Sequence, residues 1–529
     1  MGLNCGTNFR ILYIKTEPQD REELIELLAP SGELESPAER LLEIIEARCE
    51  TVVIERNYID SDYRAGFARF HYLRHHDTPR RCVRLHFFPS RLSPSNLADI
   101  PKNMKQEYLG FTVLRPLPGF HLGRSLLSVG MVSQSQPGES TYITCNSPCR
   151  ANLAGNEIEF DGVPWMQQDT LVSACASAAI WVASCYLARK FPLEFREYST
   201  PEITDLATRN VISTGRPMPS EGLFPDQMMY ALQEMGYEPV PYVPDTAVDA
   251  TRITYRYVES GIPVIAGVYF PRGGGHAVTA IGHTHNMQQK PQVERVKLNG
   301  GHLSLCRSSD FASSFVIQDD AGGPFRRLEF IDWKDAVSTN WVSKKQSQTL
   351  KSRYGCLVVL DKGTKSEEVG FLQTLLTPLP GGVTLNGHGA EERSIELVVN
   401  WYSSLGLVPA KTVVLRTFLE PSNALKVRFG SQSDISPVLS RELRRHIMSK
   451  WVWVTEVADL TEFHSMKVGY GIVFQDCASH ATSPDFFDLV AFHLPGVLAL
   501  IPPDNTKIKT FGIPEDERFP MLVRAAVSP

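Results

Sequence analysis

Met166-Gln167-Gln168-Asp169-Thr170-Leu171-Val172-Ser173-Ala174-Cys175-Ala176-Ser177-Ala178-Ala179-Ile180-Trp181 is the stretch on which the fold turns. The small residues after Cys175 favour a helix and let other backbone segments come close. The apolar run continues, so the pattern predicts a buried helix over 175–190 that opens on a cysteine. First-turn amides face the N-terminal side chain of a helix, where the dipole favours an anion. A thiol acts as a nucleophile in its thiolate form. Ser177, Ser184 and Tyr186 interrupt the run, which fits a buried soluble helix better than a membrane span.

Working outward, a nucleophilic Cys needs a base delivered by another element. Gly261-Ile262-Pro263-Val264-Ile265-Ala266-Gly267-Val268 reads as a helix stop and a strand, and Gly275-His276-Ala277-Val278 as the start of the next strand. The turn Gly273-Gly274-Gly275 leaves the backbone free to carry the His276 imidazole to a cleft edge. The imidazole in turn needs a group that holds its tautomer. Phe315-Val316-Ile317-Gln318-Asp319-Asp320 reads as a strand ending in that acid. Strand alternation favours Asp319 and sends Asp320 to the opposite face. Gln168 is placed to donate its amide to a developing oxyanion beside the Cys175 N–H, and is preferred to Gln167.

Gln, helix-opening Cys, strand-opening His and strand-closing Asp, in this order, resemble the papain-like cysteine peptidases. The closest likeness is to the branch of bacteriocin-processing, double-glycine-leader peptidases. The resemblance covers roughly the middle third of the chain. It implies Cys175 as nucleophile, His276 as base, Asp319 as orienting acid and Gln168 in the oxyanion hole. Asp169 stands where the family usually has its Gln, so the loop is one residue longer here, and Ala176 replaces the family's frequent Gly or Trp.

A chain of 529 residues, 43% hydrophobic and 21% charged, fits a soluble globular protein of several domains. A net charge of -6 and a pI of about 6.2 argue against a dedicated nucleic-acid binder. The ten scattered cysteines read as reduced thiols. No secretory signal is visible, and Gly6 stands where a myristoylation motif wants Ser or Thr.

Three segments are expected. Residues 1–155 read as an N-terminal α+β domain, with helices over 21–28, 37–48 and 58–72 and strands over 51–55, 83–88 and 108–114. Residues 156–345 carry the peptidase-like pattern, with further helices near Pro225 and over 253–260. The polar stretch 285–308 reads as a hairpin loop or insertion, and 343–353 as a charged linker. Residues 346–529 read as a C-terminal α/β domain, with a helix over 391–405 and strands over 356–360, 413–416, 451–456 and 471–475.

Other motifs carry less. Cys185 lies about 80° around the helix from Cys175 and reads as core. Cys145 and Cys149 lack a second ligand pair for zinc. His283 and His285 read as solvated loop residues, and Arg74, His75, His76, Arg80, Arg81 and Arg84 as a solvated basic face. Gly273-Gly274-Gly275 lacks the helix and Lys-Ser/Thr of a phosphate loop. Asp476-Cys477-Ala478-Ser479-His480 reads as a turn after a strand.

The expectation is an α+β chain: a papain-like domain, its central helix packed on an antiparallel sheet, flanked by N- and C-terminal α/β domains. Its expected activity is that of a cytoplasmic cysteine endopeptidase, of a kind suited to a bacterial regulated protease. It would act on a protein or peptide through Cys175, His276, Asp319 and Gln168, with no metal or organic cofactor. The flanking domains would bind a regulatory protein partner or select substrate; neither nucleic acid nor membrane is expected. The alternatives are transglutaminase- or isopeptidase-type acyl transfer on the same triad, and a catalytically inactive papain-like scaffold.

Overall fold

Period-two alternation along the strands decides which way each sheet faces. The computed structural model describes residues 3–5, 8–69, 78–117, 119, 121–132, 138–168, 175–209, 223–271, 274–406, 408–431, 437–465, 468–475, 489–501, 509–512, 519–520, 522, 524 and 526–527. They form a mixed α+β chain with three main sheets.

The first sheet is antiparallel throughout. Its order is Leu3–Cys5, Phe9–Tyr13, Thr51–Tyr58, Cys82–Phe88, Gly110–Leu114, Leu122–Ser128, Asn156–Trp165, Ser147–Leu153. Leu12, Val52, Ile54, Leu85 and Phe87 share a core with the helices Pro18–Leu28 and Ser36–Arg48. Their neighbours Ile11, Tyr13, Val53 and Phe88 build a separate core on the other face.

The second sheet closes on itself. Val264–Phe270, Gly274–Asn286, Phe315–Asp319, Gly323–Ile331, Leu357–Leu360 and Glu368–Pro380 pair antiparallel in sequence order, and the last pairs back to the first. The result is a six-stranded barrel. Tyr237–Tyr242 extends it beside Glu368–Pro380, and Glu139–Ile143 beside Gly274–Asn286. The third sheet starts at the hairpin Glu294–Leu298 and Gly301–Arg307, joins Val413–Pro421 in parallel, and continues antiparallel through Trp451–Asp459 and Val468–Gln475.

The central helix, Cys175–Lys190, is buried from Ala176 to Ala188. It shares one core with the first sheet and with Ile265, Ala277, Ile281, Val316 and Leu376 of the barrel. A six-stranded barrel has no room inside for a helix, so those residues form its outer wall. Val264, Ala266, Val268, Val278, Ala280, Val358 and Leu360 belong to the other core, which runs on into the helix Ala247–Glu259 and one face of the third sheet.

Several sequence expectations change. Residues 344–350 are helical, begun by a Ser343–Gln346 capping box, rather than linker. The stretch 285–308 supplies the edge hairpin of the third sheet. His283 and His285 are buried within Gly274–Asn286 rather than solvated, because the Glu259 carboxylate lies 2.7 Å from His283 Nε2 and Phe311 and Phe463 pack beside His285. Strands on both sides of residue 345 build the barrel. Arg74, His75, His76 and the segment 476–480 lie outside the described residues.

Candidate active site

Three antiparallel strand pairs of the barrel meet at one end: Phe270 beside Gly274, Asp319 beside Gly323 and Leu360 beside Glu368. The N-terminus of the central helix arrives at this end. Thr279 docks the helix on its strand by donating its hydroxyl to the Ala179 carbonyl at 3.0 Å, and Tyr186 donates to the Gly261 carbonyl at 2.8 Å. Cys175, the first described residue of the helix, is partly exposed, and its Sγ lies 4.0 Å from the Gly275 carbonyl.

The thiol stands close enough to the His276 ring to raise its pKa. His276 Nε2 lies 2.8 Å from Asp319 Oδ1. Since Asp319 occupies Nε2, Nδ1 is the ring nitrogen left for the sulfur. Cys175, His276 and Asp319 therefore gather at one end of the barrel, although 100 residues separate Cys175 from Gly275, whose carbonyl its Sγ approaches.

Asp319 is held from three further directions. Its Oδ2 accepts from Arg326 Nη1 at 2.6 Å, its Oδ1 from the Ala321 N–H at 2.9 Å, and its main-chain carbonyl from the Trp165 indole at 2.8 Å. Arg326 is fixed in turn by Asp361 Oδ2 at 2.5 Å, Glu368 at 3.0 Å and the Ser366 carbonyl at 3.0 Å. Gly322 gives this guanidinium its room, since a Cβ there would sit 2.0 Å from Arg326 Nη1.

The charges follow from this packing. Burial favours the neutral form of His276, but the Asp319 charge and hydrogen bond, the nearby Cys175 thiol and the Asp320 charge outweigh it, so its pKa rises well above the usual value. Burial also raises a carboxylic acid. At Asp319 the His276 charge and hydrogen bond, with Arg326 and the Ala321 N–H, overcome it and hold the carboxyl below its usual range.

Asp320 departs from the strand-alternation expectation. A register shift between Ile317 and Asp319 breaks the alternation there, and Asp320 lies beyond the strand end. Its Oδ1 is 3.9 Å from His276 Nε2, on the same side as Asp319. Burial, with the Asp319 charge working against the attraction of His276, raises its pKa.

Gln167 and Gln168 separate cleanly. Gln167 is buried, with its amide donated to Glu35 Oε2 at 3.0 Å and to the Gly119 carbonyl at 3.3 Å. Gln168 is half-buried at the end of the described chain before the helix, and residues 169–174 lie outside the described residues. Cys185 is buried in the helix and its thiol is pushed up to about 12 by burial.

Sequence reasoning missed Trp165 and Arg326. Trp165 closes the buried end of the strand Asn156–Trp165, and Arg326 interrupts an apolar run at Phe325-Arg326-Arg327-Leu328. A buried cation in a strand wants an acid partner, and Asp319 lies across one hairpin turn from it.

No protein-family model matches this chain, and no curated protein is similar to it by sequence. Among the described residues no helix is long and apolar enough to cross a membrane.

Proposed function

We propose that the chain is a papain-like thiol hydrolase, acting as a cysteine endopeptidase on a protein or peptide. The reading rests on one observation: the Cys175 thiol, 4.0 Å from the Gly275 carbonyl, stands beside a His276 ring whose Nε2 is held 2.8 Å from Asp319 Oδ1. A cysteine at the mouth of a buried helix, facing a barrel that carries the base and the acid, is the arrangement the papain-like resemblance implies.

The Cys175 sulfur transfers its proton to Nδ1 of His276 and attacks the scissile carbonyl carbon. The oxyanion forms next to the first-turn amides of the helix, with Gln168 as the side-chain donor. His276 returns its proton to the leaving amine as the C–N bond breaks, leaving a thioester. Water, deprotonated by His276, then releases the acid and restores the thiol. Asp319 holds the ring throughout and is itself held by Arg326.

Iodoacetamide alkylation of Cys175, followed by mass spectrometry, tests the reading. Wild type should react at least tenfold faster than His276→Ala near neutral pH. Equal, slow rates in both would instead support an inactive scaffold. Comparing cleaved protein termini between wild type and Cys175→Ala then identifies substrates. Amine incorporation without cleavage would point to acyl transfer.

A further inference from the structure

Asp320 has no place in the mechanism above, yet it is 5% exposed and stands beside the base. Among the described residues, neither carboxylate oxygen has a hydrogen-bond partner beyond its own main-chain amide. Burying such a group without a partner is costly. His276 Nε2, an Asp319 oxygen and an Asp320 oxygen all lie within 4.8 Å of one another. The ring nitrogen is 2.8 Å from Asp319 Oδ1 and 3.9 Å from Asp320 Oδ1. Donors bound to one zinc ion at about 2.0–2.2 Å stand roughly 3–3.5 Å apart, so small side-chain rotations would close the set on a single ion.

The charge balance points the same way. Asp319, Asp361 and Glu368 gather around Arg326, and Asp320 stands on the His276 side of Asp319. Four carboxyl groups thus share this corner with one guanidinium and one imidazole. One imidazole with two carboxylates suits zinc better than magnesium or calcium, which favour all-oxygen sets.

We propose that His276 Nε2, Asp319 and Asp320 form an inhibitory site for a divalent cation of the zinc class. The ion replaces the His276–Asp319 hydrogen bond. A neutral ring that ligates through Nε2 keeps its proton on Nδ1, so Nδ1 can no longer take one from Cys175. The metal thus closes the dyad without touching sulfur. The inhibitory consequence rests on the thiol-hydrolase reading, while the binding site does not.

The test is zinc chloride titrated calorimetrically into the metal-free full-length chain, with Asp320→Asn and Cys175→Ser beside wild type. One zinc per chain is expected, at least tenfold weaker in Asp320→Asn and unchanged within twofold in Cys175→Ser, and not displaced by excess magnesium. X-ray absorption of the wild-type complex should show nitrogen and oxygen neighbours at about 2.0–2.2 Å and no sulfur near 2.3 Å. The same spectrum covers the case in which Asp320→Asn fails to fold. Zinc should slow Cys175 alkylation at least tenfold in wild type. A sulfur neighbour, loss of binding in Cys175→Ser, equal binding in a folded Asp320→Asn, or no stoichiometric zinc would each overturn the site. A slow zinc-free alkylation rate, equal to that of His276→Ala, would refute the hydrolase reading and leave the binding result standing.

Discussion

The Trp165 indole donates to the main-chain carbonyl of Asp319 at 2.8 Å, so the last residue of a first-sheet strand holds the acid of the candidate triad. Both residues are almost wholly buried. Trp165→Phe keeps most of the apolar contact and leaves that carbonyl without its donor. Such a loss costs about 1–3 kcal/mol. Urea unfolding should show it, and Cys175 alkylation should slow as the acid loses its support.

Arg326 is a second anchor for Asp319. Removing one partner of a buried ion pair costs about 3–5 kcal/mol, because the other charge stays buried and uncompensated. Arg326→Met should destabilise by that order in a denaturant titration. Glu368→Gln, at the half-exposed end of the same network, should cost far less.

Gly323 sits at φ +108, and a Cβ there would lie 2.7 Å from Arg40 Cβ. Arg40 also donates to the Phe325 carbonyl at 3.2 Å, so the helix Ser36–Arg48 grips the turn that follows the acid. Gly323→Ala meets both an unfavourable backbone region and a clash. It should destabilise by more than about 1 kcal/mol, measured by thermal unfolding, whereas Gly363→Ala, with open space around its Cβ, should cost less.

The His276–Asp319 pair gives stability a defined pH dependence. The folded pKa of His276 is raised, so its contribution is complete below the unfolded value of about 6.5 and is lost as pH climbs through the folded one. The folded pKa of Asp319 is lowered, so its contribution is complete above about 3.9 and is lost as pH falls through the folded one. The stability difference between wild type and His276→Gln should therefore be largest between about pH 4 and 6.5. It should shrink on the alkaline side in urea titrations run at stepped pH.

Asp320 acts in the opposite sense to Asp319. Its folded pKa is raised, so the folded chain binds its proton more tightly than the unfolded chain does. Stability from this group is lost as pH rises beyond about 3.9 through the folded value. Asp320→Asn should gain on wild type between pH 4 and pH 8 in paired, metal-free unfolding curves; a constant difference would contradict this.

Local signals were the most legible. The helix expected over 37–48 is present, beginning one residue earlier at Ser36, and the central helix spans 175–190 as the small residues after Cys175 suggest. What stayed hidden depends on contacts across the chain. The bulge beside Asp319 undoes the alternation used to dismiss Asp320. The partner that allows His283 to be buried is Glu259 on a separate helix. Trp165 and Arg326 matter only because three strand pairs of the barrel and a strand of another sheet converge, which no local pattern encodes.

Barrel closure sets where this protein tolerates a cut. A chain ended at residue 345 would lack both Leu357–Leu360 and Glu368–Pro380, leaving Val264–Phe270 and Gly323–Ile331 as raw edges. It would also strip Asp361 and Glu368 from Arg326. Fragments meant to isolate the triad must run past Pro380; shorter ones should emerge as sticky, aggregating sheet.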